Sequence, residues 1–275
     1  MIAQLMTSLC IFLGSLCLMG CEPQPSKKQI AHTSFNAIPL SAWKQLSNKK
    51  VYFGHQSVGN NILDGMRDVM QDNPQIALNI TESATMVGLK SPIFAHSMVG
   101  KNFDPKSKID AFSSHLRAGM GDEVDIAFVK LCFVDILPQT DTAKVFEYDK
   151  HTMEDLQNQF PQTTFIHFTA PLTSKQTWLK EFVKGLIGNV NLYDNVKRHE
   201  FNAMLRREYM GRAPFFDLVK LESTFPDGRQ STFTKDDNIY ASLVPDYTTD
   251  GGHLNAKGRR IVAEHLLVYL AQLSQ

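Results

Sequence analysis

The sequence predicts one doubly wound α/β domain, and three observations carry that prediction. Short β-prone runs alternate with helix-period segments from residue 51 to the C-terminus, as they do in βαβ units. Residues 124–134 form a longer, largely apolar run of the kind a central parallel strand shows when both its faces are covered. A chain of 275 residues, 43% hydrophobic and 20% charged, is large enough for a sizeable core. The 12 Pro and 16 Gly are scattered and no solenoid period is visible, which excludes fibrous and repeat architectures. Lys and Arg number 28 against 28 Asp and Glu, so the basic excess of a nucleic-acid-binding protein is missing.

In chain order, residues 1–20 carry no charged side chain and are apolar from Leu5 to Met19, too short and too early for a comfortable membrane span. They read as a secretion signal. The signal ends in Leu18-Met19-Gly20-Cys21, which resembles the bacterial lipobox, although no Lys or Arg precedes the apolar run and Met19 is less usual there. The resemblance implies that Cys21 is lipidated and becomes the mature N-terminus, held at the cell envelope, with the outer membrane favoured where the host has one. Residues 21–37, with Pro23, Pro25 and two lysines, read as a tether, and 38–275 as the folded domain. Cys10, Cys17 and Cys21 belong to the signal region, leaving Cys132 in the body and no intrachain disulfide in the mature chain.

Residues 51–53 (Val-Tyr-Phe) predict the first strand, closed by Gly54, and Ile62, Leu63, Met66, Val69 and Met70 then fall at helical spacing. Further strands are expected at 77–80, 124–134, 164–168 and 214–219, five in all. Helices are expected at 109–120, 148–160, 195–209 and 256–273. Segments 86–108 and 221–249, rich in Ser, Thr, Asp, Gly and Pro, read as long loops, and long loops in a compact domain tend to carry function. Ligands of open parallel sheets bind beyond the carboxyl ends of the strands, so chemistry is expected just after each strand.

After the first strand, Gly54-His55-Gln56-Ser57-Val58-Gly59 puts a serine at a glycine-flanked turn into a helix. Taken alone, Ser57 there is either a helix cap or a nucleophile beside free backbone N–H groups. Before the last helix lies Thr249-Asp250-Gly251-Gly252-His253-Leu254-Asn255. A serine hydroxyl needs an imidazole to remove its proton, and the imidazole needs a carboxylate to fix its tautomer. Asp250 and His253 could supply both from one loop. In the order and placement of these motifs the chain resembles the SGNH, or GDSL-like, hydrolase superfamily, over residues 51–270. The resemblance implies a flavodoxin-like three-layer α/β/α domain with a five-stranded parallel sheet. It makes Ser57 the nucleophile, His253 the general base and Asp250 the residue that orients the histidine. It also implies an oxyanion hole built from the N–H groups of Ser57 and of a glycine after the second strand, here Gly100.

The chain departs from that family's pattern after the third strand. Lys130-Leu131-Cys132-Phe133-Val134-Asp135 stands where an Asn donor is expected, and Asn60, Asn61 and Asn102 remain as candidate replacements. Lys130 is a charge in an apolar strand, reaching the site as an electrostatic stabiliser or pairing with a structural carboxylate. His55 and Gln56 insert one residue before the serine, and His55 reads as a second site histidine or a packed one. Cys132 reads as a buried apolar residue and His167 as a core histidine. His96, His115, His151, His167 and His199 show no metal-ligand spacing, so neither metal nor cofactor is expected. The expected function is hydrolysis of an ester, O-acetyl groups on carbohydrate foremost, through an acyl-enzyme on Ser57. An O-acyltransferase using the same site, and a non-catalytic carbohydrate-binding or scaffold lipoprotein, are the alternatives. Tyr240, Tyr247, Phe225, Phe233 and Trp178 could stack on sugar rings or simply pack.

Overall fold

The computed structural model of the protein describes residues 34–85, 91–174 and 194–275. The segment expected to be a signal, Cys21, most of the expected tether and Trp178 lie outside the described residues. Helix α1 (Leu40–Ser47) precedes strand β1 (Lys50–His55), and α2 (Ser57–Asp72) follows it after one residue. Next come β2 (Ile80–Glu82), β3 (Ile93–Met98), α3 (Pro105–His115), a π-helical turn at Leu116–Met120 and β4 (Ile126–Val129). Then follow α4 (Thr142–Gln159), β5 (Thr164–Phe168), α5 (Asp194–Tyr209), β6 (Phe215–Phe216) and α6 (Leu218–Glu222). A hairpin of β7 (Thr232–Lys235) and β8 (Asn238–Ala241) precedes the final helix α7 (Ala256–Leu273).

The main sheet has six strands in the order β2-β3-β1-β4-β5-β6, and every pairing in it is parallel. Alternation along β1 distributes the core between two layers. Val51 and Phe53 pack with α1, α2 and α7 on one face, whereas Tyr52 packs with α3 and α4 on the other. A third cluster joins Leu131, Phe146, Phe201 and Leu205 beneath α4 and α5. The predicted three-layer α/β/α class is therefore the observed one, with six strands rather than five.

The added strand is β3, which falls inside the segment read as a loop. Its sequence, Ile-Phe-Ala-His-Ser-Met, hides the apolar signal because His96 and Ser97 are polar. Their partners come from β1: the Ser97 hydroxyl meets the Tyr52 hydroxyl at 2.8 Å, and His96 Nδ1 meets His55 Nε2 at 3.0 Å. Both side chains are buried against these partners from the neighbouring strand. The second expected strand is displaced to Ile80–Glu82 and the sixth is only two residues long before α6 begins. The central run leaves the ladder at Val129, although Lys130 N–H still donates to Gly54 C=O at 3.0 Å. The second predicted loop contains the β7–β8 hairpin, whose turn residues Asp236 and Asp237 have φ of 48° and 61°, as a two-residue type I′ turn requires.

Candidate active site

The carboxyl end of β1 leads into Ser57, the candidate nucleophile. Gln56, extended at φ −132° and ψ −162°, occupies the N-cap position, so Ser57 is the first helical residue and its hydroxyl is not used as a cap. Gly59 lets that first turn sit on the preceding strand, since a Cβ there would lie 2.3 Å from His55 Cβ. Ser57 Oγ lies 2.8 Å from His253 Nε2. His253 Nδ1 lies 2.5 Å from Asp250 Oδ2. The other carboxylate oxygen, Asp250 Oδ1, accepts from the backbone N–H groups of Gly252 at 2.9 Å and His253 at 2.7 Å. Burial alone would raise the Asp250 carboxyl, but these bonds, His253 foremost, overcome it and bring its pKa down to about 2. The carboxylate is thus ionised and acceptor-only, which places the proton on Nδ1 and leaves Nε2 as the base facing Ser57.

Three contacts hold the loop of Asp250 and His253 in register. Asn61 Oδ1 accepts from Leu254 N–H at 3.1 Å, Gly251 C=O accepts from Ser174 N–H at 2.7 Å, and the Phe133 ring meets the His253 ring edge-on at 5.5 Å. Phe133 is fixed in turn by fully buried Arg198, whose Nε donates to its carbonyl at 2.9 Å. Asn61, Phe133, Ser174 and Arg198 come from four separate stretches of chain, and only Asn61 was a candidate from the sequence.

Beside the nucleophile, the loop after β3 is gripped by Gln56, whose Nε2 donates to Val99 C=O at 2.8 Å and Gly100 C=O at 3.1 Å. Gly100 has φ +58°, and a Cβ on it would lie 2.5 Å from Lys108 N, so only glycine fits. The N–H groups of Ser57 and Gly100 have no acceptor among the described residues. These are the backbone donors that a developing oxyanion would use.

The remaining sequence candidates fall in distinct places. Asn60 is exposed. Asn102 is exposed, with its Oδ1 accepting from Lys108 Nζ at 3.0 Å. Lys108 is fully buried and paired to Asp135 at 2.7 Å. His55 is buried under the first turn of α2, and burial pulls its pKa down to about 3, so it stays neutral. Lys130 is fully buried, with Nζ donating to Leu131 C=O at 3.0 Å, and it forms no ion pair within 4.0 Å among the described residues. Burial draws its pKa down. Cys132 is a buried free thiol. His167 is half-buried, stacked on Tyr209 at 3.5 Å between ring centroids. Among the described residues no three His, Cys, Asp or Glu side chains converge as a metal site would need. No described helix is long and apolar enough to cross a membrane.

No protein-family model matches the chain, and no curated protein matches it. Solved structures do. A Streptococcus pneumonia protein assigned as a platelet activating factor is similar over 84% of this chain and 90% of its own, at 16% identity and a TM-score of 0.50. A protein of Parabacteroides merdae assigned as a GDSL-like lipase is similar over 83% of this chain and 97% of its own, at 10% identity and a TM-score of 0.47. A Desulfitobacterium hafniense protein assigned to the lipolytic G-D-S-L family is similar over 81% and 99%, at 9% identity and a TM-score of 0.45. In the order of its six parallel strands and the helices on both their faces, the chain has a three-layer α/β/α fold that it shares with the Streptococcus pneumonia protein.

Proposed function

We propose that the protein is a serine ester hydrolase, and the observation that carries this is the unbroken chain from Ser57 Oγ through His253 to Asp250. His253 Nε2 accepts the hydroxyl proton as Ser57 Oγ attacks the ester carbonyl. The resulting oxyanion is met by the N–H groups of Ser57 and Gly100. Collapse breaks the bond to the alcohol, which leaves with the proton from His253, and the acyl group stays on Ser57. Water then attacks the acyl-enzyme, gives its proton to His253 and releases the acid as the serine is regenerated. A sugar hydroxyl in place of that water would make the same site an acyltransferase. O-acetylated carbohydrate is the substrate class that suits an exported, Cys21-anchored protein of the cell envelope.

The test is hydrolysis of p-nitrophenyl acetate by the chain from Glu22 onward, beside Ser57→Ala and His253→Ala. Each variant is expected to keep its circular dichroism and lose turnover by about six orders of magnitude. Wild-type turnover that survives both substitutions, or no labelling of Ser57 by a fluorophosphonate, would sink the serine mechanism and favour a binding module.

A further inference from the structure

We infer that Phe103 is the binding platform of this site and that it receives a pyranose ring bearing the ester, a proposal that deepens the hydrolytic reading above and rests on it. Large apolar side chains exposed among the described residues are Leu40, Met98, Phe103, Met210 and Ile239. Two of these, Met98 at 54% and Phe103 at 47%, bracket Gly100. Met98 is the register partner of His55, two residues before the nucleophile. The apolar surface thus flanks the segment that supplies the oxyanion donor.

Phe103 is held there against its own backbone preference. Its φ is +68°, and outside the Asp236-Asp237 hairpin turn it is the one non-glycine residue with positive φ among the described residues. A bulky side chain in that region is a true outlier, and such strain persists only where the surroundings over-determine it. Asp135 does so. Its Oδ1 accepts from Phe103 N–H at 3.2 Å, and its Oδ2 accepts from Cys132 N–H at 2.6 Å. Lys108 Nζ donates to both oxygens from a fully buried position. A buried ion pair thus fixes an aromatic ring in water, an arrangement that a packing role for Phe103 does not explain.

The chemistry around the ring selects its ligand. Lys101 and Asn102 are exposed directly before it, and the Asn102 amide is oriented by Lys108. An exposed aromatic ring in a loop that also exposes Lys101 and Asn102 suits a pyranose, which offers an apolar C–H face and a rim of hydroxyls. A long acyl chain would instead require an enclosed apolar groove.

The experiment titrates methyl glycosides carrying O-acetyl groups, a panel of glucose, galactose, xylose and N-acetylglucosamine, into the Ser57→Ala chain by calorimetry, where turnover cannot interfere. Adding Phe103→Ala is expected to weaken binding at least tenfold, Phe103→Trp to retain it, and Met210→Ala, a distant exposed apolar control, to leave it unchanged. With Ser57 present, Phe103→Ala is expected to lower the kcat/KM ratio of the glycosides to ethyl acetate at least tenfold. Binding indifferent to Phe103, no binding by any of the panel, or an equal loss of kcat/KM on the glycosides and on ethyl acetate would overturn the proposal. Intact, Phe103-dependent binding without Ser57-dependent turnover would sink the hydrolytic reading alone and leave the platform standing.

Discussion

At the scale of single residues the site depends on which proton sits on which nitrogen. Asp250 divides its two oxygens between the His253 ring and the backbone N–H groups of Gly252 and His253. Asp250→Asn keeps that shape but must spend its one carbonyl oxygen on the backbone donors, turning its NH2 toward His253 Nδ1. Nδ1 then accepts, Nε2 carries the proton, and the ring can no longer take one from Ser57. The expected result is a fall in kcat of about 10⁴ with an unchanged melting temperature, measured on p-nitrophenyl acetate. Ser57, His253 and Asp250, which the fold brings together, could be picked out of the sequence because a nucleophile, a base and an orienting carboxylate are residue types that ester chemistry demands. Gln56, Phe133 and Arg198 as supports were not. Gln56 clamps a loop more than forty residues away, and nothing in the local sequence of either partner announces a contact formed only by folding.

At the scale of elements, the loop from β3 to α3 is fixed by a charge pair that a sequence reading could not assemble. Lys108 lies on α3 and Asp135 beyond β4, yet both are fully buried and in contact at 2.7 Å. Removing one partner strands the other as an uncompensated buried charge, so Asp135→Ala and Lys108→Met are each expected to cost about 3–5 kcal/mol in urea unfolding. The double substitution Lys108→Met with Asp135→Leu is expected to cost less than their sum, because neither charge is then left alone. Strict additivity would show the pair to be uncoupled. The same physics explains what the sequence concealed about β3. Strand periodicity is visible where a buried face is apolar, as in β4 and β5, and is lost where His96 and Ser97 are buried against polar partners on β1. Lys130 was recognisable as an expensive charge in an apolar run. Its bond to the Leu131 carbonyl depends on how the chain leaves the ladder at Val129, which is set by tertiary packing.

At the scale of the whole molecule, buried titratable groups of both kinds shape stability against pH. His55 and His167 are brought down to about 3 by burial, so the folded state keeps them neutral where the unfolded chain, near 6.5, takes up protons. Each contributes stability that is present above pH 6.5 and lost as pH falls toward 3. Glu222 is pushed up to about 8 and Asp149 to about 7, again by burial first. They act with the opposite sign, because the unfolded chain releases protons that the folded state retains. Their stabilisation is complete below about pH 4 and is lost as pH rises toward 7 or 8. Each group contributes a slope of up to about 1.4 kcal/mol per pH unit in its window. Between roughly pH 4.5 and 6.5 the two pairs oppose each other, whereas from pH 6.5 to 8 these carboxyls act without the two histidines and pull stability down. Glu222→Gln tests this, since the amide oxygen can still accept from Leu172 N–H, the bond that Glu222 Oε2 accepts at 2.8 Å. The urea midpoint of the wild type is expected to fall from pH 6.5 to 8, and that of Glu222→Gln to fall at a visibly shallower slope. Equal slopes for the two proteins would mean that Glu222 is already ionised in the fold at neutral pH, with its charge balanced by Lys130 and Arg198, the two buried cations near enough to lower its pKa.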